Sequence, residues 1–314
     1  MGAGAIGAAL GGRLHQAGRE VVLIARGAHL EAMRRDGLRL RTPSSDDVLD
    51  VTAVATPEEA APRRGDVALL ATKTQDSSAA LDALRAAAGD ELPIACAQNG
   101  VANERLALRR FAHVYGVNVW LPAELLTPGL VDVFFAPAPG VLDVGRYPAG
   151  RDALADQVAD DLSDAGFAAQ ATDDVMRVKH AKLLSNLGNA LEAACGQGAR
   201  GSDLDHRARE EARACFLAAG IDWAAEEELA ERRGAASFAS VAGREHGGGS
   251  SWQSLVRGTG SIEADYLNGE ICLLGRLHGV PTPVNAALQR AAARMVRDGL
   301  EAGSLDVAEI EADV

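Results

Sequence analysis

Apolar residues recur at helical spacing from Ala5 to about Ala17 and then crowd into a short run at Val21-Val22-Leu23-Ile24-Ala25. The first stretch predicts a helix ended by Gly18, and the second a buried strand. Further apolar runs follow at Asp66-Val-Ala-Leu-Leu-Ala71, Pro93-Ile-Ala-Cys-Ala97 and His113-Val-Tyr-Gly-Val117. Helical stretches separate them, with Asp76 to Ala88 the clearest. Alternation of near-continuous apolar strands with helices predicts a parallel, doubly wound α/β sheet. Pro128-Gly129 and Pro137 to Gly140 flank an expected hairpin pair, before a helix from about Arg151. From about Asp173 the pattern turns helical and stays so. The expected organisation is an N-terminal nucleotide-binding domain over residues 1–170 and an all-α domain over residues 171–314.

The chemistry of the first half follows from its glycines. Gly2-Ala-Gly4-Ala5-Ile6-Gly7 fits G-x-G-x-x-G and opens the first helix. Glycines there let backbone approach a pyrophosphate, and the helix N-terminus offers unpaired N–H groups with partial positive charge. The residue closing the next strand is Arg26, where NAD-binding chains place a carboxylate for the ribose hydroxyl; an Arg favours the extra phosphate of NADP. Two polar signals, Thr72-Lys73-Thr74-Gln75 and Gln98-Asn99-Gly100, sit just past the carboxyl ends of predicted strands, the edge where open α/β sheets bind ligands. A Rossmann-type unit begins with a strand before the first glycine, and only Met1 precedes Gly2 here. Four or so buried aliphatic side chains of such a strand would contribute about 10 kcal/mol, comparable to the whole of a domain's net stability. The expectation is that the first strand is missing and that the natural product starts upstream.

Composition narrows the function classes. At 314 residues there is room for two cores. No run of 18 apolar residues indicates a membrane span. A net charge of −13 disfavours nucleic acid and anionic lipid as partners. Cys96, Cys195, Cys215 and Cys272 lack C-x-x-C spacing and read as reduced thiols of a cytoplasmic protein. The seven histidines show no metal-ligand spacing, so no metal is expected. The 31 basic residues include only three lysines, Lys73, Lys179 and Lys182. An ammonium can release its proton whereas a guanidinium stays charged, so the few lysines become candidates for work Arg cannot do.

In the second half, Lys182-Leu-Leu-Ser-Asn186-Leu-Gly-Asn189-Ala-Leu191 predicts one helix. At about 100° per residue, Asn186 lies roughly 40° and Asn189 roughly −20° from Lys182, so the three share a face. Asn is a poor helix former, and two within one helix need a reason. His180 is expected at the surface. The run Gly247 to Gly249 before Ser250-Ser251 is either a mobile segment that lets hydroxyls reach a ligand or a plain linker. Ser261-Ile-Glu263-Ala-Asp265-Tyr-Leu-Asn268-Gly269 then opens another helix, with Glu263 in its first turn.

These ordered motifs, closed by His278-Gly-Val-Pro-Thr-Pro283, resemble those of the ketopantoate reductases (2-dehydropantoate 2-reductases) over nearly the whole length. The resemblance implies an NADP-binding Rossmann domain, a helical domain and an active site in the cleft between them. It implies that Lys182 is the general acid and that Asn99 and Asn186 position substrate, with Asn99 also near the nicotinamide. Ser251 resembles the hydroxyl for the substrate carboxylate, Lys73 a cofactor contact, and Glu263 a catalytic carboxylate that reaches the cofactor. An ammonium suits protonation of an alkoxide formed by hydride transfer, since it first stabilises and then donates.

Two positions depart from the family pattern. The second helix asparagine usually falls eight residues after the lysine, where this chain has Ala190, with Asn189 before it. A further amide is replaced by Arg200. The expected function is NADPH-dependent reduction of 2-dehydropantoate to pantoate, with a small-molecule 2-oxo acid as the partner and a homodimer compatible with it. The alternatives are reduction of another small 2-oxo acid, or a non-catalytic NADP-binding relative.

Overall fold

A computed structural model describes residues 1–258 and 260–314. Two compact units form, Met1–Lys179 with Glu226–His246, and His180–Ala225 with Gly247–Val314. The units therefore part nine residues beyond the expected division, and residues 226–246 of the second half pack with the first unit.

The first unit runs α1 (Ala5–Gln16), β1 (Val22–Ile24), α2 (Gly27–Asp36), β2 (Leu38–Arg41), β3 (Asp46–Leu49), β4 (Thr52–Val54), α3 (Pro57–Ala60), β5 (Ala68–Leu70) and α4 (Thr74–Ala88). It continues through β6 (Ile94–Cys96), α5 (Asn103–Leu108), β7 (Val114–Trp120), β8 (Ala123–Thr127), β9 (Leu130–Val133), β10 (Phe135–Ala136), β11 (Val141–Arg146), α6 (Ala153–Asp164) and β12 (Ala168–Ala171). A five-stranded sheet has the order β12-β11-β7-β6-β5, parallel through β5, β6 and β7 and antiparallel between β7 and β11. Strand β6 shows why its sequence is apolar throughout. Ile94 and Cys96 face a core made with Leu81 and Leu84 of α4, while Ala95 and Ala97 face one made with Leu10 of α1 and Leu162 of α6. A sheet covered by helices on both faces leaves neither side of a strand free to be polar.

Strands β1 and β4 form a separate parallel pair. No strand among the described residues joins β1 to β5; instead Met1 to Ala3 bridge them. The Met1 amine donates to the Leu69 carbonyl at 2.8 Å, Ala71 N donates to Met1 O at 2.9 Å, and Gly2 N and Ala3 N both donate to Ile24 O. The sequence pattern did not reveal the third sheet, β3-β2-β9-β8, in which the expected hairpin β8–β9 extends β2. Its strands are four or five residues long, β2 and β3 alternate more buried with more exposed positions, and β8 and β9 bury the charged Glu124 and Asp132, so their apolar signal is weak.

Helix α7 (Val175–Asn186) begins in the first unit and ends in the second. Its first turn lies against two paired glycines, Gly116 of β7 and Gly145 of β11. A Cβ on Gly145 would stand 2.6 Å from the Thr172 carbonyl, and one on Gly116 would stand 2.9 Å from Val175 Cγ1. The notch lets Lys179 reach under the sheet edge. Its Nζ lies 2.5 Å from Glu104 Oε1 of α5 and donates to the carbonyls of Cys96, Gln98 and Val117 at 3.0–3.4 Å. Both side chains are buried, at 2% and 0% exposure.

The second unit is helical: α8 (Gly188–Cys195), α9 (Asp203–Ala219), α11 (Ser250–Val256), α12 (Asn268–His278), α13 (Pro283–Arg297) and α14 (Val307–Glu311) around a core that includes Leu191, Leu204, Leu288 and Met295. Between α9 and α11 the chain makes α10 (Glu226–Arg233) and β13 (Ser237–Phe238) within the first unit, where β13 pairs with β10. Polar contacts hold this excursion. Arg232 Nε donates to the buried Asp143 at 2.6 Å, and Arg244 reaches Asp132 at 2.7 Å and Glu124 at 3.0 Å. Helical periodicity alone does not show such docking, because its contacts, Arg–carboxylate pairs and a two-residue strand pairing, join residues distant in sequence.

Two measurements test this packing. Lys179→Met strands the Glu104 carboxylate in the interior, and urea unfolding should show a loss of about 3–5 kcal/mol. The double variant Lys179→Met/Glu104→Leu should recover most of it, because no buried charge is left alone. Burial, with the hydrogen bond to Asp152, pushes the Tyr115 hydroxyl up to about 12 from 10. The unfolded chain then ionises first, so this contribution is complete below pH 10 and is lost as pH rises from 10 through 12. Tyr115→Phe should flatten the fall in melting temperature over that window.

Candidate functional site

The nucleotide-binding end of the first unit is built from backbone. Gly2 has φ +83°, and a Cβ there would stand 2.6 Å from Thr72 N. A Cβ on Gly7 would stand 2.4 Å from the Gly2 carbonyl. Gly4, by contrast, has nothing within 4 Å of its Cβ position, and it caps α1 without a side-chain hydrogen bond. Two glycines thus close the turn, and the third leaves open space in front of the helix N-terminus. An anionic diphosphate fits such a cradle, so the residues present suit the dinucleotide that the motif implies. Ala5 and Ile6 lie in the first turn of α1.

The polar signals after β5 and β6 form one network. Gln98 Nε2 donates to Ser77 Oγ at 2.8 Å and to the Thr72 carbonyl at 2.9 Å, and Asn103 Nδ2 donates to Thr74 Oγ1 at 3.0 Å. Lys73 stands at the N-cap of α4, and Asn99 is half-buried next to the Gln98 carbonyl that Lys179 holds. Arg26, at the N-cap of α2, pairs with Asp76 at 2.8 Å, with the two side chains 84% and 41% exposed. An ion pair this exposed contributes about 0–1 kcal/mol, so it is readily exchanged for a stronger anion.

In the second unit the single helix expected over residues 182–191 is two. Helix α7 ends at Asn186 and α8 starts at Gly188. Leu187 between them keeps helical dihedrals (φ −60°, ψ −31°), but its carbonyl accepts a hydrogen bond from Asn268 Nδ2 at 3.1 Å. Asn268 is in turn fixed by Asn285 Oδ1 at 3.0 Å. The Glu263-to-Gly269 motif therefore supports the helix that carries the lysine. Its other members also have places: Gln289 donates to Asp265 at 2.7 Å, and Gly269 lets that same Gln289 pass, since a Cβ would meet its Nε2 at 2.9 Å. Glu263 is buried, and it lies in a 3₁₀ turn (Glu263–Tyr266) ahead of α12 instead of in the first turn of that helix.

Lys182 is half-buried, one turn before the buried Asn186. Asn186 Nδ2 and the hydroxyls of Ser250 and Ser251 are enclosed but meet no partner among the described residues. Polar atoms left this way point to a ligand, because a buried donor without a partner costs about 1–3 kcal/mol. Asn189 differs: its Oδ1 accepts from Arg200 Nη2, which leaves only the amide nitrogen for other work. The glycine run is neither mobile by necessity nor a plain spacer. A Cβ on Gly248 would stand 2.8 Å from the Trp252 ring and 3.0 Å from Glu192 Oε1, so the backbone packs directly on side chains. His180, expected at the surface, is half-buried edge-on against Phe216 at 5.4 Å.

Two pairs escaped the sequence reading, Lys179 with Glu104 and Arg200 with Glu192. Signals existed for both. Lys179 is one of three lysines, and Glu192 interrupts an otherwise apolar Ala190-Leu-x-Ala-Ala194. Neither signal names its partner. Among the described residues no cluster of His, Cys, Asp or Glu is placed to hold a metal, and no helix is long and apolar enough to cross a membrane. The four cysteines are free, and burial raises their thiols, to about 11 for Cys195 and Cys215.

Residues 1–149 match the family model described as ketopantoate reductase PanE/ApbA, and residues 174–296 match that of its C-terminal domain. A 2-dehydropantoate 2-reductase of Archaeoglobus fulgidus is 30% identical over 296 residues, covering 92% of this chain and 94% of the relative. One from Mesorhizobium japonicum is 29% identical over 311 residues, covering 90% and 92%. A match to the enzyme of Pyrococcus horikoshii, at 28% identity, spans 59% of each chain. Among solved structures, a PanE/ApbA family ketopantoate reductase from Ralstonia eutropha superposes with a TM-score of 0.78 at 29% identity, covering 95% of this chain and 98% of the other. A D-mandelate dehydrogenase solved with NADH and anilino(oxo)acetate shares the fold, with a TM-score of 0.78 at 23% identity over 95% and 97%. The glycine cradle, the lysine-bearing helix and both domain matches agree: the chain belongs to the ketopantoate reductase PanE/ApbA family of nicotinamide-dependent oxidoreductases.

Proposed function

We propose that this protein is an NADPH-dependent reductase of a small 2-oxo acid, with 2-dehydropantoate, reduced to pantoate, as the first candidate. The observation that carries the reading is the pairing of a half-buried Lys182 with a buried Asn186 Nδ2 that meets no partner among the described residues, one turn along the same helix. A bound NADPH supplies the hydride that reduces the ketone carbon. Lys182 Nζ hydrogen-bonds the carbonyl oxygen, stabilises negative charge as it grows there, and donates the proton that completes the alcohol. Asn186 Nδ2 donates to the same end of the substrate and fixes its orientation. Ser251 donates its hydroxyl to the substrate carboxylate, and Asn189 offers its remaining amide nitrogen.

On the cofactor side, Gly2, Gly4, Ala5, Ile6 and Gly7 cradle the diphosphate with backbone N–H groups. Lys73 adds positive charge there, and Arg26 exchanges Asp76 for the 2′-phosphate. Asn99 would help position the substrate close to the nicotinamide, and Glu263 would reach the cofactor and order the groups around it. This is the chemistry of a cytoplasmic enzyme supplying pantothenate synthesis.

A second reading is favoured by Ala190 and Arg200, which replace two amides of the family pattern. Fewer amide donors suit a 2-oxo acid with an apolar side chain, such as the one that corresponds to mandelate, the acid named for the D-mandelate dehydrogenase of the same fold. NADPH oxidation should be followed with 2-dehydropantoate, pyruvate, oxaloacetate and the 2-oxo acid of mandelate. The highest kcat/KM names the substrate. NADPH bound without turnover of any of them would make the chain a non-catalytic relative.

Lys182→Ala should lower kcat by about 10²–10⁴-fold, while Lys182→Arg, though charged, should restore little because it cannot release a proton. Full activity in Lys182→Arg would remove the general-acid role. Arg26→Ala should weaken NADPH binding by about tenfold and leave NADH unaffected. Equal NADH and NADPH affinity in the unaltered protein would overturn the cofactor assignment.

A further inference from the structure

We propose that Arg200 and Glu192 are positioning residues that clamp the Gly247–Gly249 backbone and thereby set the Ser250 and Ser251 hydroxyls for an anionic substrate; this rests on the 2-oxo acid reading of that site. Glu192 is 4% exposed, and both its oxygens are committed. Oε2 accepts from Arg200 Nε at 2.5 Å, and Oε1 accepts from Gly249 N at 2.8 Å. The same guanidinium donates through Nη2 to Asn189 Oδ1 and through Nη1 to the Ser185 carbonyl at 3.2 Å. One side chain thus ties the last turn of α7 to two positions on α8 and, through Glu192, to the residue that caps α11.

The glycines follow from this arrangement. A Cβ on Gly249 would stand 3.1 Å from Glu192 Oε2 and 3.4 Å from Arg200 Nη2. The backbone rests on the ion pair with no room between, and Gln197 Nε2 holds the Gly247 carbonyl at 2.6 Å. The next two residues carry the hydroxyls that are buried without a partner among the described residues. Charge matters as well as shape. With Arg200 present the Glu192 carboxylate is neutralised; without it, a buried anion would stand beside the hydroxyls that receive the substrate carboxylate, and would repel it.

The clamp is tested in the full-length protein with Arg200→Gln and Arg200→Lys. Hydrogen exchange of amides 249–253 should accelerate in Arg200→Gln, a readout that needs no substrate. KM for the best 2-oxo acid should rise about tenfold, as for loss of one charge-assisted contact, with a smaller change in kcat and unaltered NADPH affinity. Arg200→Lys should fall between, since it keeps the charge and one of the bonds. Unchanged exchange, or a fall in kcat with KM unmoved, overturns the proposal. If the unaltered protein reduces no 2-oxo acid, the substrate reading fails by itself, and exchange still decides whether the clamp exists. Should Arg200→Gln not fold, Glu192→Gln, which keeps an acceptor for Gly249 N, is read by the same two measurements.

Discussion

A single buried cation fixes the start of the lysine-bearing helix within the first unit. Lys179 lies in the first unit, pairs with Glu104, and donates to the carbonyls of Cys96 and Gln98 at and beyond the end of β6 and of Val117 in the middle of β7. Burying two charges is costly, and the pair is tolerated because Coulomb attraction and hydrogen bonds offset the loss of water together. The geometry admits one solution. A helix shifted by one residue would turn Lys179 by about 100° and leave Glu104 alone in the interior. Lys182 and Asn186 lie farther along the same helix. A hydrophobic residue at 179 could pack as well but would hold the rotation less firmly, since apolar contacts are non-directional.

At several glycines of this molecule the requirement is closeness. Gly2 and Gly7 bring backbone within reach of backbone, Gly116 and Gly145 admit a helix, and Gly248 and Gly249 sit on an ion pair. At each of these places a Cβ would fall at or inside about 3.1 Å of a neighbour, closer than side chains normally pack. In a chain with 34 glycines, composition alone cannot separate these from the merely permissive ones.

The second unit distributes its polar residues by the same logic. Asn268, Asn285 and Glu211 form a continuous chain of bonds that reaches the Leu187 carbonyl, where α7 gives way to α8. Arg200 and Glu192 do the equivalent for the α11 side. Asn268 Nδ2, Asn285 Nδ2 and both Glu192 oxygens are paired, while Asn186 Nδ2 and the hydroxyls of Ser250 and Ser251 meet no partner among the described residues.

Much of this was legible along the chain. Strand–helix alternation, the glycine turn and the lysine-bearing helix are local patterns, set by side-chain period and backbone conformation, and they predicted the α/β and helical parts. The family resemblance rested on the same local motifs. Other features depended on residues far apart in sequence. The break at Leu187 needs Asn268, 81 positions away. The pairing of Lys179 with Glu104, the docking of residues 226–246 on the first unit, and the diversion of Asn189 toward Arg200 also arise only when distant segments meet. A sequence announces which residues prefer a helix or a buried face, because those preferences act over a few positions. It does not announce which charge finds which, because that is decided by the enclosing shape, and only the folded chain has one.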